Sequence, residues 1–101
     1  MITKEQIVAY LKANYTEEKL QVEISEAIPD YLYDGWEEEF DGDQDMAYSE
    51  TGRGGAESAI RMDMEKDIMK KFGLNYEQYE AIAGEEIWTT IYGIFPCLDK
   101  D

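Results

Sequence analysis

Residues 34–45, DGWEEEFDGDQD, hold the densest set of groups that could do chemistry: Asp34, Glu37, Glu38, Glu39, Asp41, Asp43 and Asp45, set around Trp36 and Phe40. Clustered carboxylates have three uses. They ligate a hard cation, they run acid/base chemistry in pairs, or they present negative charge to a basic partner. The first use is testable on spacing. Taking Asp41, Asp43 and Asp45 as positions 1, 3 and 5 of a calcium loop of the EF-hand kind puts Met46 at position 6, where a glycine makes the sharp turn. It puts Gly52 at position 12, where a bidentate glutamate is required. Two defining positions fail, which leaves only a non-standard divalent-cation module as an alternative. Carboxylate pairs of the glycosidase kind need a sugar cleft. A chain of 101 residues makes a poor one, and 24 acids make chance pairs unavoidable.

Other chemistries lack their residues. The chain has no histidine, which removes Ser/His and Cys/His activation and the usual zinc sites. There is no Gly-x-x-x-x-Gly-Lys loop. The stretch GRGG (52–55) could place an anion at a helix N-terminus, but its plainer reading is a loop feeding a helix start. Cys97, the one cysteine, reads as a half-buried small hydrophobe beside Pro96. It excludes an intramolecular disulfide and makes a cytoplasmic location the default. The N-terminal residues lack the apolar core of a signal peptide, and no apolar run has the length of a membrane span. The expectation is a protein that is not an enzyme, with no catalytic residue, metal or cofactor.

The third use of carboxylates remains. The chain carries 24 acidic and 9 basic residues, net −15. That charge argues against direct binding to nucleic acid or an anionic membrane, both of which need a basic patch. Between Lys19 and Arg53 no basic residue occurs, and this window (20–52) holds Glu23, Glu26, Asp30, Asp34, Glu37, Glu38, Glu39, Asp41, Asp43, Asp45 and Glu50. The remainder, with 13 acids against 9 bases, is ordinary.

The elements that must position these groups are mostly helical. Thr3 with Gln6 has capping-box spacing and opens a helix over 4–14. Thr16 caps a second, with Glu17 and Glu18 in its first turn. Pro29 suits the first turn of a third, over 29–40. Residues 41–54 read as a loop. Ala56, Ala59, Ile60, Met64, Ile68 and Met69 recur at helical spacing over 55–72, with Lys70 and Lys71 in the last turn and Gly73 as the stop. Asn75 with Gln78 opens a short helix to about Ala83. Residues 85–95 are rich in β-branched and aromatic types and read as a buried helix, with a minor strand near the C-terminus as the alternative. The fold class expected is mostly α: one domain, 1–101, a small bundle of about five helices, with a homodimer left open.

On a helical projection of 23–41, Glu23, Glu26, Asp30, Asp34, Glu37 and Asp41 stay within roughly 80° of arc. Ile24, Ile28, Leu32, Trp36 and Phe40 fall on the opposite side, so Trp36 and Phe40 are expected to face inward, and Tyr31 and Tyr33 to help keep the ridge rigid. Pro29 and Gly35 split or kink this ridge. A solvated amphipathic face ordinarily mixes Lys and Arg among its acids at i,i+4. None does so here. Rows of exposed carboxylates offer a basic protein surface the pattern that DNA phosphates offer it.

The segment AIPDYLYDGWEEEF (27–40), leading into an acidic stretch, resembles the Ocr-type anti-restriction proteins of phages. Ala27, Ile28, Pro29, Asp30 and Tyr31 match their Ala-aliphatic-Pro-x-Tyr segment followed by an acidic helix. The C-terminus departs from that pattern, with only Asp99 and Asp101 in place of a very acidic tail. In size and charge the chain is also similar to the acidic anti-CRISPR proteins of phages. The resemblance implies an inhibitor in the host cytoplasm that mimics DNA. Its partner would be the basic DNA-binding surface of a host-defence nuclease or CRISPR-Cas effector subunit, met by the eleven acids of the window. The alternatives are the divalent-cation module and an acidic adaptor.

Overall fold

The computed structural model describes residues 2–99. Among them the chain forms seven α-helices: α1 Lys4–Asn14, α2 Glu17–Ala27, α3 Trp36–Glu39, α4 Gln44–Thr51, α5 Gly55–Phe72, α6 Tyr76–Ala83 and α7 Ile87–Ile94, with 3₁₀ turns at Ile28–Tyr31 and Pro96–Leu98. No strand occurs among the described residues, so the strand alternative for 85–95 falls. Ile87, Ile91 and Phe95 are spaced four apart and all buried, and that helical face outweighs the β-propensity of the segment.

Most helix starts follow from their caps. Thr3 and Gln6 form a reciprocal capping box, and Asn75 and Gln78 form another. The Thr16 hydroxyl accepts from the Lys19 N–H at 3.2 Å. α5 ends where Gly73 turns left-handed (φ +65) and the Leu74 N–H closes on the Met69 carbonyl.

Two expectations fail between Ala27 and Gly55. The single helix over 29–40 does not form. Pro29 has no N–H to continue the ladder from α2, so the chain makes one 3₁₀ turn. It then extends at Leu32 (φ −97, ψ 142) and turns at Gly35 (φ +99) into the one-turn α3. The loop expected over 41–54 is mostly helix. The Asp43 carboxylate accepts from the Met46 N–H at 3.1 Å and starts α4, which buries Ala47 and Tyr48. α3 stands in for the helix expected over 29–40 and α4 is additional, and the helix number is seven against the about five expected.

One apolar cluster draws on Ile7 and Leu11 of α1, Leu20 and Ile24 of α2, Tyr48 of α4, Ile60, Met64 and Ile68 of α5, Tyr79 and Ala83 of α6, Ile87 and Ile91 of α7, and Phe95 and Leu98. The spine is α5, about 27 Å long at 1.5 Å per residue. Its C-terminal half meets α1, where Asp67 accepts from the Tyr10 and Tyr15 hydroxyls at 3.0 and 2.7 Å. Midway, Arg61 donates to the Tyr92 hydroxyl at 2.6 Å and to the Leu98 carbonyl at 3.3 Å, beneath the rings of Trp88 and Tyr92. Its N-terminus meets the 3₁₀ turn and α4. α3 buries no residue and packs mainly on α4. The molecule is therefore long, 53 × 24 × 20 Å, with a radius of gyration of 15.7 Å against about 13 Å for an ordinary domain of this length.

Candidate functional site: an exposed acidic surface

The eleven acids of the window fall on four elements and the turns between them. Glu23 and Glu26 lie on α2, Asp30 in the 3₁₀ turn, Asp34 just before Gly35, and Glu37, Glu38 and Glu39 on α3. Asp41 links α3 to α4, Asp43 caps α4, and Asp45 and Glu50 lie on it. All eleven are exposed. Among the described residues none of them forms an ion pair, and Asp43 alone makes a side-chain hydrogen bond.

The continuous helical ridge over 23–41 is not formed, because the chain leaves helical geometry between the 3₁₀ turn and α3. Its apolar side divides at the same point. Ile24 is buried, and Ile28 and Leu32 pack against the core. Trp36 and Phe40, expected to face inward, are only half-buried and stand outside the core cluster. Tyr31 and Tyr33 are 38% and 37% exposed.

What the fold does bring together is smaller. Asp34, Glu37 and Glu38 line one cleft with Tyr33, Gly35 and Trp36. Glu23 and Glu26 flank the exposed Val22 along the outer side of α2. Asp41 and Gly42 both take left-handed backbone (φ +53 and +79), and the Gly42 N–H closes on the Glu37 carbonyl at 2.8 Å. This closing turn ends α3 and carries Asp41 out to solvent.

The acidic lobe is fastened to the spine by a polar lock that the sequence reading missed. The Tyr48 hydroxyl accepts from the Ala56 N–H at 3.0 Å and donates to the buried Glu57 carboxylate. Burial first, then that hydrogen bond, pushes the Tyr48 phenol up to about 12. The lock also occupies the start of α5, where GRGG suggested an anion site. Arg53 and Gly54 form a left-handed turn, and the Ala56 N–H is already satisfied. Beside the lock, the Tyr31 ring lies against Gly55 so closely that a Cβ there would strike it. The only signal for the lock was a tyrosine at helical spacing from Thr51, nine residues before an acid in a helix's first turn.

The chain matches no known family model, no curated protein and no solved structure. Among the described residues no set of three or more acidic or cysteine side chains is gathered to hold a metal, and Asp43 is engaged as a helix cap. Among the same residues no helix is long and apolar enough to cross a membrane. The Cys97 thiol is pushed up to about 12 by burial, then by its contact with Glu17, whose carboxylate accepts from the Cys97 N–H at 3.0 Å. A thiol so protonated is a poor nucleophile. The other perturbed groups are held within the bundle. Tyr15 is raised by burial and by Asp67, and Glu65 is raised by burial beside Tyr79. The Tyr79 hydroxyl is buried and makes no hydrogen bond of ordinary geometry; that burial, and then the nearby Glu65 carboxylate, raises its pKa.

Proposed function

We propose that this protein is a non-enzymatic inhibitor that presents a DNA-like anionic surface and occupies the basic DNA-binding surface of a host-defence complex, a restriction enzyme or a CRISPR-Cas effector. The observation that carries the reading is the unrelieved acidic window: eleven exposed carboxylates over 33 residues with no Lys or Arg among them. Like charges at helical neighbour positions cost a few tenths of a kcal/mol per pair. Apart from Glu23, which shares a groove with Lys19 on α2, a fold that holds them outward with no base among them has retained that cost where a mixed surface would remove it.

Shape supports the same reading. B-DNA carries one charge per about 1.7 Å of axis, so a duplex as long as this molecule carries about 31 charges. The chain carries a net −15, about half as many, on a body 24 × 20 Å across. Eleven of its acids, with no base among them, lie in the 20–52 window. The opposed fields steer association, so complex formation is fast at low salt and slows as salt screens it.

The test is displacement. Purified protein is titrated into duplex DNA bound to each member of a panel of restriction enzymes and CRISPR-Cas effectors. For its target the protein releases DNA stoichiometrically, and its affinity falls linearly on a log–log plot against salt. A panel in which DNA is never displaced at low salt contradicts the reading.

A further inference from the structure

We infer that residues 33–43, which carry the one-turn helix α3, form a flap that opens from α4 while the rest of the bundle stays folded, and that screening of its own carboxylates closes it. The flap is a property of the chain alone and stands whatever partner the acidic surface meets.

Little fastens this segment to the spine. α3 buries no residue and packs mainly on α4, and Trp36 and Phe40 are half-buried outside the core cluster. Among the described residues no hydrogen bond joins 33–42 to α2, α5 or any more distant element. Its bonds are local: the Gly42 N–H closes on the Glu37 carbonyl at 2.8 Å, and the Asp43 N–H on the Phe40 carbonyl at 2.9 Å. The chain on either side is held differently. Ile28 and Leu32 pack against the core, and α4 is locked to α5 through the Tyr48 hydroxyl. An element with so few buried contacts opens at the low end of the free-energy range, separately from the core.

Backbone and charge both favour the open form. Gly35 and Gly42 turn through left-handed backbone at either end (φ +99 and +79), and Asp41 is held there too (φ +53). A side chain disfavours that backbone, so opening relieves strain at Asp41. Asp34, Glu37, Glu38, Glu39, Asp41 and Asp43 follow one another with no base between them. A helix dipole favours acids in the first turn and opposes them in the last, and in α3 the first turn is also the last. Closing lays these acids on a helix that itself carries Asp45 and Glu50. The half-buried Trp36 and Phe40 hold the flap closed against this repulsion. Salt shifts the balance, because the screening length falls from about 30 Å at 0.01 M to about 3 Å at 1 M. Low salt opens the flap and high salt closes it.

The test is amide hydrogen exchange on the full chain, read residue by residue by NMR. The Phe40 and Gly42 amides should exchange ahead of those of α4 and α5. Their protection, referred to a peptide of residues 33–43 in the same buffer, should rise about fivefold from about 0.01 M to about 1 M salt, the scale of a few relieved like-charge pairs. Gly35→Ala places a Cβ in left-handed backbone where it meets no atom within 4 Å. It should speed exchange in α3 about fivefold and leave α5 exchange and the melting temperature as in the parent. Asp41→Gly removes both strain and charge and should slow exchange in α3. Amides of 36–42 as protected as those of α5, protection indifferent to salt, or a Gly35→Ala protein whose whole bundle melts lower overturns the flap.

Discussion

Tyr48→Phe removes one oxygen atom from a residue that is 9% exposed and tests how the acidic lobe is held. The ring stays in place, including its packing against Gly52. Two partners are stranded: the Ala56 N–H, 3.0 Å from the lost oxygen, and the Glu57 carboxylate, itself 9% exposed. A hydrogen bond to a charged group contributes about 1.5–3 kcal/mol, and a buried group left without a partner costs its desolvation. A loss of about 2 kcal/mol is expected. With an unfolding entropy of about 2.1 cal/mol/K per residue over 101 residues, that loss lowers Tm by about 10 °C. Thermal melts followed by circular dichroism give Tm, and urea titration gives the free energy. Hydrogen exchange should rise first in α4, because that helix is joined to α5 through this hydroxyl. Adding Glu57→Gln to Tyr48→Phe replaces the stranded charge with a neutral amide and should recover part of the loss. A Tyr48→Phe protein within about 0.5 kcal/mol of the parent, or one whose α4 exchanges no faster, refutes the lock.

The same interior gives three further expectations. Tyr48 is raised from 10.0 to about 12 in the folded state, and Tyr15 and Tyr79 are raised further still, burial leading in each case. The fold favours the neutral phenols, so their contribution is complete below about pH 10 and is lost as pH rises towards 12; denaturant titrations should show a plateau followed by alkaline decline, with part of the tyrosinate absorbance appearing only on unfolding. Gly55→Ala would gain about 1 kcal/mol from helix propensity alone, but its Cβ strikes the Tyr31 ring, so the variant should be less stable than the parent by about 1 kcal/mol in urea titration. Cys97 should react with a thiol reagent at neutral pH far more slowly than a model cysteine and reach the model rate only in denaturant.

The sequence carried the bundle well where one local signal sufficed. The capping pairs Thr3/Gln6 and Asn75/Gln78, the stripe of α5 and the glycine at its end each lie within a few residues of what they determine. It carried the acidic lobe poorly, because that region is built from breaks. Pro29 suits the opening of a long helix and instead stands in the first half of a single 3₁₀ turn. Asp43 has the spacing of a metal ligand and instead caps a helix, since Asp suits both tasks and only the neighbouring Met46 N–H separates them. Trp36 and Phe40 followed the apolar side of an idealised helix, and once the helix breaks at Leu32 that side no longer points to the core. The charge itself was fully legible, since exposure of eleven acids needs no long-range contact to foresee. The Tyr48–Glu57 lock and the Tyr10–Asp67–Tyr15 cluster were not, because each joins residues whose pairing only the packing of α5 against its neighbours decides.

The central claim is that the exposed carboxylates bind because of their charge. It is tested most directly on a target that the protein displaces from DNA, by comparing the parent with Glu37→Lys/Glu38→Lys/Glu50→Lys and with the corresponding glutamine variant. These three side chains are exposed and cap no helix, and reversing them leaves Asp43 in place to start α4. The reversal removes six units of negative charge and the neutral variant three. The account predicts a graded loss, glutamine weaker than parent and lysine weaker than glutamine, with the differences shrinking as salt rises and the melting curves staying folded. Equal affinity of all three proteins at low salt contradicts it.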